Sequence, residues 1–348
     1  MNLKEKVKQL PTAPGVYLMK DAAGEIIYVG KSKNLKNRVQ SYLQNSRVDS
    51  RKLEKLTQQL KDFDWIQLDT EFEALMLECQ LIQELKPIYN RKMKTPDAYS
   101  YLKIDQVKGI YRIEITHILE DEAYYFGPFT SKSTLERAIN GWKELLKIDC
   151  HRPYNRSTPC LNFSLGLCRG ICIKEEAMNF YENSILQLMD FLNGTDQSLI
   201  KELSKQMENA SSSYDFEQAA KLRDTINALN GMYKKQQVIQ FLRENQQLVV
   251  LDKSSLKLFF IQGNRILYQH KLATQENPIE CLGNAIKDYF QQNESPVIID
   301  KQEIDAAQIV FSYIHSFACQ YIRVQDEWLI ADCDDEMGRA IMMMVEGK

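Results

Sequence analysis

The sequence predicts an α+β protein built from several compact units, and three observations support this prediction. At 348 residues, the chain is longer than one typical domain. Short runs rich in tyrosine and branched aliphatic residues, typical of strands, alternate with longer stretches in which apolar residues recur at helical spacing. Hydrophobic residues make up 44% of the chain and charged residues 26%, which is typical of globular proteins and not of disordered ones.

The N-terminal part, residues 1–95, is predicted to be a small domain with a short central antiparallel sheet flanked by helices. Its first elements are strands over 16–19 and 26–30, helices over 34–42 and 51–62, and a short strand over 65–68. A turn-like segment, DAAGE, separates the first two strands. The apolar spacing of residues 71–85 predicts an amphipathic helix, and Pro87 ends it.

Three further parts are predicted after residue 95. They are a β segment, helix and four-cysteine region over 96–196, a helical hairpin over 197–233, and a small α/β C-terminal domain of unknown role over 234–348. Within the last part, Gly263-Asn264 is a good two-residue connection for a β-hairpin. A helix over 279–291, a strand over 296–300 and a helix over 303–317 follow the hairpin.

Charge is distributed unevenly, and this bears on the class of partner. Residues 1–95 carry 17 Lys and Arg against 12 Asp and Glu, whereas the rest of the chain is acidic. The basic end is therefore the part suited to nucleic acid. The first residues lack the apolar run of a signal peptide, and no stretch is apolar enough for a membrane span. Eight cysteines without a secretory signal favour a reducing cytoplasm.

Tyrosines and cations in the N-terminal part are spaced as in a phosphodiester-cleaving site. Tyr17 and Tyr28 fall on neighbouring predicted strands, so their hydroxyls can face one pocket. Arg38 and Tyr42 lie four residues apart on the next helix and share a face. Arginine suits a phosphate because its planar fork binds two oxygens. Taken singly, these residues also fit a half-buried hairpin followed by a solvated basic helix.

Two other residues would complete such a site. Lys31 directly follows the second strand, where its charge would lower the pKa of a neighbouring phenol so that the phenol can accept a proton. Glu78, on the helix over 71–85, offers a carboxylate for Mg²⁺ or Mn²⁺.

Four of the eight cysteines fall within 23 residues, which indicates metal ligation. The cluster consists of Cys150, Cys160, Cys168 and Cys172. Four thiolates suit either tetrahedral Zn²⁺ or a [4Fe–4S] cluster. The paired C-x2-C knuckles usual in zinc ribbons are absent from this sequence, which favours iron–sulfur. The remaining cysteines, at 79, 281, 319 and 333, are isolated and are expected to be small buried hydrophobes.

The hairpin over 197–233 combines two apolar stripes with a capping signal. Asp215 followed by Gln218 resembles a capping box at the start of its second helix. Such a hairpin can bury its stripes against each other or the neighbouring domain, or it can offer them to a partner protein.

These motifs together resemble the UvrC family. GVY (15–17) and YVG (28–30) resemble the GIY-YIG nuclease signature, and the likeness to the UvrC N-terminal domain continues through residues 71–90 and 125–129. The resemblance implies that Tyr28 is the general base, that Glu78 is the metal ligand, and that Asn90 supports the site. It also places Tyr17 on a signature tyrosine, Lys31 beside the base, and Arg38 and Tyr42 against the scissile phosphate.

The resemblance extends to the cysteines and to the hairpin. UvrC proteins carry a similar four-cysteine segment, which is taken to hold [4Fe–4S]. YDFEQAAKLRDTI (214–226) resembles the UVR motif shared by UvrC and UvrB, which implies a UvrB-type helicase as partner. There Phe216 would anchor the apolar contact, with Arg223 and Asp224 at its rim. The ribonuclease H-like signature of full-length UvrC is not recognised in residues 236–348, so a short form similar to Cho is expected.

The expected function is that of a metal-dependent DNA endonuclease of nucleotide excision repair, working with UvrB on damaged double-stranded DNA. By family analogy it would cut on the 3′ side of the lesion. Two alternatives stay open: a non-catalytic iron–sulfur adaptor that docks a repair helicase on DNA, and a GIY-YIG nuclease that acts on branched or recombination DNA.

Overall fold

A computed structural model describes residues 3–44, 51–95, 98–107, 110–150, 158–272, 278–291, 301–330 and 334–346. The described helices are α1 (Leu3–Lys8), α2 (Leu35–Gln44), α3 (Arg51–Gln59), α4 (Glu71–Leu85), α5 (Lys132–Leu146), α6 (Leu161–Ser164), α7 (Glu175–Asn193), α8 (Ser198–Ser212), α9 (Phe216–Glu244), α10 (Pro278–Gln291), α11 (Glu303–Ile314), α12 (Asp326–Ile330) and α13 (Asp334–Glu346). The described strands are β1 (Gly15–Lys20), β2 (Ile26–Ser32), β3 (Asp62–Gln67), β4 (Ser100–Val107), β5 (Ile110–Thr116), β6 (Tyr124–Phe129), β7 (Gln247–Asp252), β8 (Lys257–Gln262), β9 (Arg265–Lys271) and β10 (Cys319–Arg323). None of these helices is long and apolar enough to cross a bilayer.

The α+β prediction is confirmed, and most elements fall where the sequence places them. Helix α4 has the predicted bounds, because a capping box formed by Thr70 and Glu73 starts it and the left-handed Lys86 ends it. Helix α9 is the main difference, since it continues to Glu244 and so passes the predicted end of the hairpin at residue 233. The strand predicted over 296–300 lies outside the described residues.

The chain forms two compact units. The first combines Met1–Pro96 with Phe241–Lys348, and the second is Asp97–Gln240. The four-part division by sequence stays a prediction within this arrangement.

The N-terminal sheet of the first unit has the antiparallel order β2-β1-β3, so β2 is an edge strand. Alternation along β1 separates its two faces, because successive side chains point in opposite directions. Tyr17 and Met19 pack with residues of α2 and α3, such as Val39 and Leu56. The opposite face packs against α4. The sheet thus lies between helices on both sides, as predicted.

The C-terminal part of the first unit is a four-stranded antiparallel sheet of order β10-β7-β8-β9. It joins the N-terminal part in one hydrophobic cluster that includes Phe72 of α4. The Phe72 ring stacks on Tyr313 at 4.1 Å and meets Phe259 edge to face at 5.1 Å. Beside these rings, Lys257 Nζ pairs with Glu73 at 2.7 Å and with Asp69 at 2.8 Å. Helix α4 therefore contacts both parts of this unit.

The second unit contains the sheet β5-β4-β6 and the long helices α5, α7, α8 and α9. Its core includes the fully buried Trp142 and the cysteines Cys160, Cys168 and Cys172. Leu222 of α9 is buried in the same core. The predicted hairpin is therefore part of the core of this unit on one face.

Candidate active site

Three tyrosines converge on the helix-covered face of the N-terminal sheet. Tyr17, on β1, is almost fully buried, and its hydroxyl lies 3.0 Å from the hydroxyl of Tyr42 on α2. Tyr28, on the edge strand β2, is only half-buried. The three ring centroids lie 5.9 to 6.4 Å apart. Tyr28 is thus the member of the cluster that solvent can reach.

Glycine at position 30 makes this clustering possible. Gly30 lies directly opposite Tyr17 in the β1–β2 pair. A Cβ at this position would lie 2.4 Å from the Tyr17 hydroxyl and 2.9 Å from the Tyr28 ring. Any side chain would therefore separate the two phenols, which explains why the second signature triplet ends in glycine.

The open edge of β2 brings in two residues that are distant in sequence. Asn90 uses both ends of its side-chain amide on Val29, accepting from its N–H at 3.0 Å and donating to its carbonyl at 2.9 Å. Two residues along the strand, the Lys31 N–H donates to Glu78 Oε1 at 3.0 Å. An edge strand presents unpaired backbone groups, and these side chains satisfy them. The same bonds fix Glu78 and Asn90 beside Tyr28.

The cations of the site divide into two groups. The Arg38 guanidinium lies over the Tyr42 ring, with Cζ 5.1 Å from the centroid. The Lys31 and Lys33 ammonium groups instead both pair with Glu71 at the start of α4, Lys33 at 2.8 Å. Glu71 thus neutralises the two lysines that follow β2, and Arg38 is left facing the phenols.

The effect of Lys31 on the pKa of Tyr28 stays a prediction. Burial, followed by repulsion from Tyr42, raises the pKa of the Tyr28 phenol above its ordinary value. The ammonium of Lys31 pairs with Glu71. Burial also raises the pKa of Tyr17 well above its usual value. In the structure as described, burial therefore favours the neutral form of the Tyr17 and Tyr28 phenols.

The position of Glu78 fits a divalent cation. Burial raises the pKa of its carboxyl, and this is partly offset by the hydrogen bond from the Lys31 backbone. Within the described residues, only Oε1 of this carboxylate has a hydrogen-bond partner. Mg²⁺ is commonly bound through one or two carboxylates while it keeps several waters. A single half-buried carboxylate beside three hydroxyl groups is consistent with that mode of binding.

Two residues at this site were missed from the sequence. Glu71 was counted only as part of an amphipathic helix, and Lys52 only as part of helix 51–62. The Lys52 Nζ lies 5.4 Å from the centroid of the Tyr28 ring. No local pattern marks either residue, because each reaches the site only through the packing of α3 and α4 around the sheet.

The structure also brings the cysteine cluster together. The sulfur atoms of Cys150, Cys160 and Cys168 lie within 4.8 Å of one another. Cys172 is fully buried in the same core as Cys160 and Cys168. None of these four cysteines forms a disulfide. Burial raises the pKa of Cys160, but the N–H of Phe163 and the neighbouring cysteines outweigh that effect and lower it. Such a group of thiols suits metal ligation.

Of the isolated cysteines, Cys79 and Cys319 are buried as predicted. The side chains of the cysteines at 281 and 333 lie outside the described part of the chain.

At the turn between α8 and α9, two aromatic side chains face solvent. Tyr214 is 79% exposed and Phe216 is 64% exposed. Asp215 caps α9 by accepting from the Gln218 N–H at 3.1 Å, while its own N–H bonds to the Ala210 carbonyl. Only half of the predicted capping box is therefore formed. Arg223 pairs with Asp224 on the exposed face at 2.8 Å.

Three family descriptions match this chain. The UvrC-like GIY-YIG domain matches residues 13–91, the middle domain of the UvrC/Cho excinuclease matches 99–191, and the UvrB/uvrC motif matches 197–231.

Curated relatives match across most of the chain. UvrABC system protein C of Acetivibrio thermocellus is 37% identical over 329 residues, which is 90% of this chain and 53% of the relative. The protein of the same name from Alkaliphilus oremlandii is 32% identical over 343 residues, which is 94% of this chain and 53% of the relative. This chain thus spans about half the length of these relatives.

Among solved structures, the GIY-YIG N-terminal endonuclease domain of UvrC from Thermotoga maritima, bound to magnesium as its catalytic divalent cation, is 35% identical. It covers 26% of this chain and 96% of that domain, with a TM-score of 0.24.

Proposed function

Because this chain belongs to the UvrC-like proteins, with their GIY-YIG domain, middle domain and UVR motif, we propose that it is a metal-dependent DNA endonuclease of nucleotide excision repair. It would incise the damaged strand, on the 3′ side of the lesion by family analogy, together with a UvrB-type partner. The proposal also implies a cytoplasmic protein, because its DNA substrate lies there.

One observation carries the proposal: three phenols, one guanidinium and one carboxylate converge at the edge of β2. Glu78 comes from a helix on the opposite face of the sheet from Tyr42, and it still reaches the same edge. A structural role alone does not explain why a half-buried carboxylate, an arginine and a reachable tyrosine share this place. Phosphodiester hydrolysis needs these three kinds of group to hold a cation, bind the phosphate and move a proton.

Each residue of the site has a proposed role that follows from its position. Arg38 binds two oxygens of the scissile phosphate through its planar fork. The hydroxyls of Tyr17 and Tyr42 are hydrogen-bonded to each other, which fixes the positions of these two phenols beside Tyr28. Asn90 keeps Tyr28 in register by holding the backbone of its neighbour Val29. Glu71 pairs with the Lys31 ammonium, and Lys31 contributes its backbone N–H to orient Glu78.

Glu78 would hold the cation, Mg²⁺ or Mn²⁺. Once bound, that ion would supply charge that polarises the phosphate and lowers the pKa of nearby acids, including the phenol. Tyr28 is the only one of the three phenols exposed enough to exchange a proton with water in the site. We therefore keep Tyr28 as the proton acceptor, with Lys31 as a positioning residue.

A nicking assay on a lesion-bearing duplex, with and without UvrA and UvrB, tests the function. Cutting of the damaged strand near the lesion is expected. Binding without cutting would favour the adaptor, and cutting confined to branched duplexes would favour the recombination substrate.

The cysteine cluster is proposed to hold [4Fe–4S], with Zn²⁺ as the alternative. Protein purified without oxygen should be brown, absorb near 400 nm and contain about four irons per chain if it holds [4Fe–4S]. Replacing Cys160 with serine should remove that absorbance, whereas Cys319→Ser, at an isolated buried thiol, should keep it. A colourless protein that contains one zinc per chain would contradict the iron–sulfur assignment.

The exposed tip of the hairpin is proposed to bind UvrB. Phe216→Ala should weaken UvrB binding at least tenfold, because a large aromatic residue at the centre of an interface often contributes 2 kcal/mol or more, which corresponds to roughly thirtyfold. The melting temperature should change little, since 64% of this side chain is exposed.

Phe317→Ala is the matched control, because Phe317 is 99% exposed in the other unit. If the two variants bound UvrB with equal affinity, the proposal that the exposed tip of the hairpin binds UvrB would be wrong. Deleting 197–233 is a poor test, because Leu203, Leu222 and Ile226 of this segment belong to the core.

A further inference from the structure

One cation near the phenols has no part in the mechanism so far. Lys52 lies in the first turn of α3, and its Nζ is 5.4 Å from the centroid of the Tyr28 ring. Arg38 lies at a similar distance, 5.1 Å, from the Tyr42 ring, and the two rings are 6.4 Å apart. A separate cation thus lies over each of two neighbouring tyrosines.

Among the described residues, no carboxylate balances the charge of Lys52. Lys31 and Lys33 share Glu71, but in the part of the chain that the structure describes no carboxylate pairs with Lys52 or with Arg91. Arg91 directly follows Asn90, which is fixed to the edge of β2. Burial first, and then the charge of Arg91, lowers the pKa of Lys52. The charged form of such a partly buried ammonium is stabilised when an anion binds to it.

We propose that Lys52 binds a phosphate of the DNA backbone next to the phosphate that is cut. This subsite rests on the proposed nuclease function and extends it. Arg38 would hold the scissile phosphate, and Lys52 would hold its neighbour. Two contacts along one strand fix its direction as well as its position, which orients the bond for cleavage.

A purely structural role for Lys52 would be to cover the Tyr28 ring with its aliphatic stem. Lys52→Met separates the two roles, because methionine keeps an unbranched apolar stem and removes the charge. Lys52→Arg keeps the charge. Lys55→Met removes one charge from the exposed face of the same helix and serves as the matched control.

The first measurement is binding of the full chain to a lesion-bearing duplex at several salt concentrations. Lys52→Met should weaken binding about tenfold and reduce the slope of log affinity against log salt by about one, as expected for one lost phosphate contact. Lys52→Arg should retain most of the affinity. Equal effects of Lys52→Met and Lys55→Met would overturn the subsite, since they would reflect net charge alone.

The second measurement uses nicking with UvrA and UvrB on duplexes that carry a single neutral methylphosphonate linkage at successive positions around the cut. At one position next to the cut, the neutral linkage should slow the unaltered chain and should abolish the difference between it and Lys52→Met. A difference that persists at every position would overturn the subsite. If the unaltered chain cuts no damaged duplex, the proposed function fails, and the binding measurement still decides the subsite because it requires no cutting.

Discussion

Replacing Glu78 with glutamine should reduce nicking of damaged DNA at least 1,000-fold, which corresponds to about 4 kcal/mol of transition-state stabilisation. The reason is that, under the proposed function, the carboxylate beside Tyr28 would supply the negative charge that holds the divalent cation. Glutamine keeps an oxygen that can accept the Lys31 N–H, so the edge of β2 should stay satisfied. The melting temperature without metal should therefore change little, or rise slightly, because burial disfavours the charged form of this residue.

Glu84→Gln is the control for this experiment. Glu84 lies on the same helix, is exposed, and undergoes the same chemical change. Nicking rates should be measured over a range of Mg²⁺ and Mn²⁺ concentrations, and the Glu84 variant should behave as the unaltered chain does. If the Glu78 variant cut DNA at a rate within tenfold of the control, the assignment of Glu78 as metal ligand would be lost.

The second large effect is a loss of stability, expected when Lys257, which is not part of the tyrosine cluster, is replaced. Lys257→Met should cost about 3–5 kcal/mol, because it leaves the buried carboxylate of Glu73 without its partner. The side chains of Lys257 and Glu73 are only 10% and 7% exposed. The melting temperature of the first unit should fall by roughly 6–20 °C, which differential scanning calorimetry can measure. Because α4 also carries Glu78, affinity for the divalent cation should fall as well.

A double variant separates the buried charge from the packing. Glu73→Gln keeps an acceptor for the Thr70 N–H, so the start of α4 stays capped. Combined with Lys257→Met, it should recover most of the lost stability, since no charge is then left buried. Lys253→Met, on the exposed end of the same sheet, should have little effect. A Lys257 variant as stable as the Lys253 variant would show that the ion pair does not hold α4.

The stability contributed by the Lys257–Glu73 pair depends on pH. Burial lowers the pKa of Lys257, but the hydrogen bonds to Asp69 and Glu73 outweigh it and raise the pKa above its ordinary 10.5. A lysine whose pKa is higher in the folded than in the unfolded chain stabilises the fold at any pH below its unfolded-state pKa. That stabilisation is lost as the pH rises through the folded-state pKa. Stability from this pair should therefore persist through neutral pH and decline only above pH 10.5.

Local pattern was sufficient to predict most of the fold. The strands β1 and β2 and helix α4 follow from residue spacing and capping, which depend on neighbours within a few positions. The same holds for the cluster of Cys150, Cys160, Cys168 and Cys172, because their spacing is visible in one short segment. The α+β class and the family both follow from information of this kind.

The sequence also named the chemical groups of the candidate site, but only the tertiary structure decided how they meet. The strand order β2-β1-β3 leaves one edge of β2 without a neighbouring strand. Glu78 and Asn90 form hydrogen bonds with the backbone groups of that edge. The sequence places Lys31 close to Tyr28 along the chain and predicts that it acts on this phenol. In the structure, the Lys31 ammonium pairs with Glu71, forty positions away. Lys257 reaches Glu73 across 184 positions. Charge pairing depends on distance in space, and no period or motif along the chain encodes that distance.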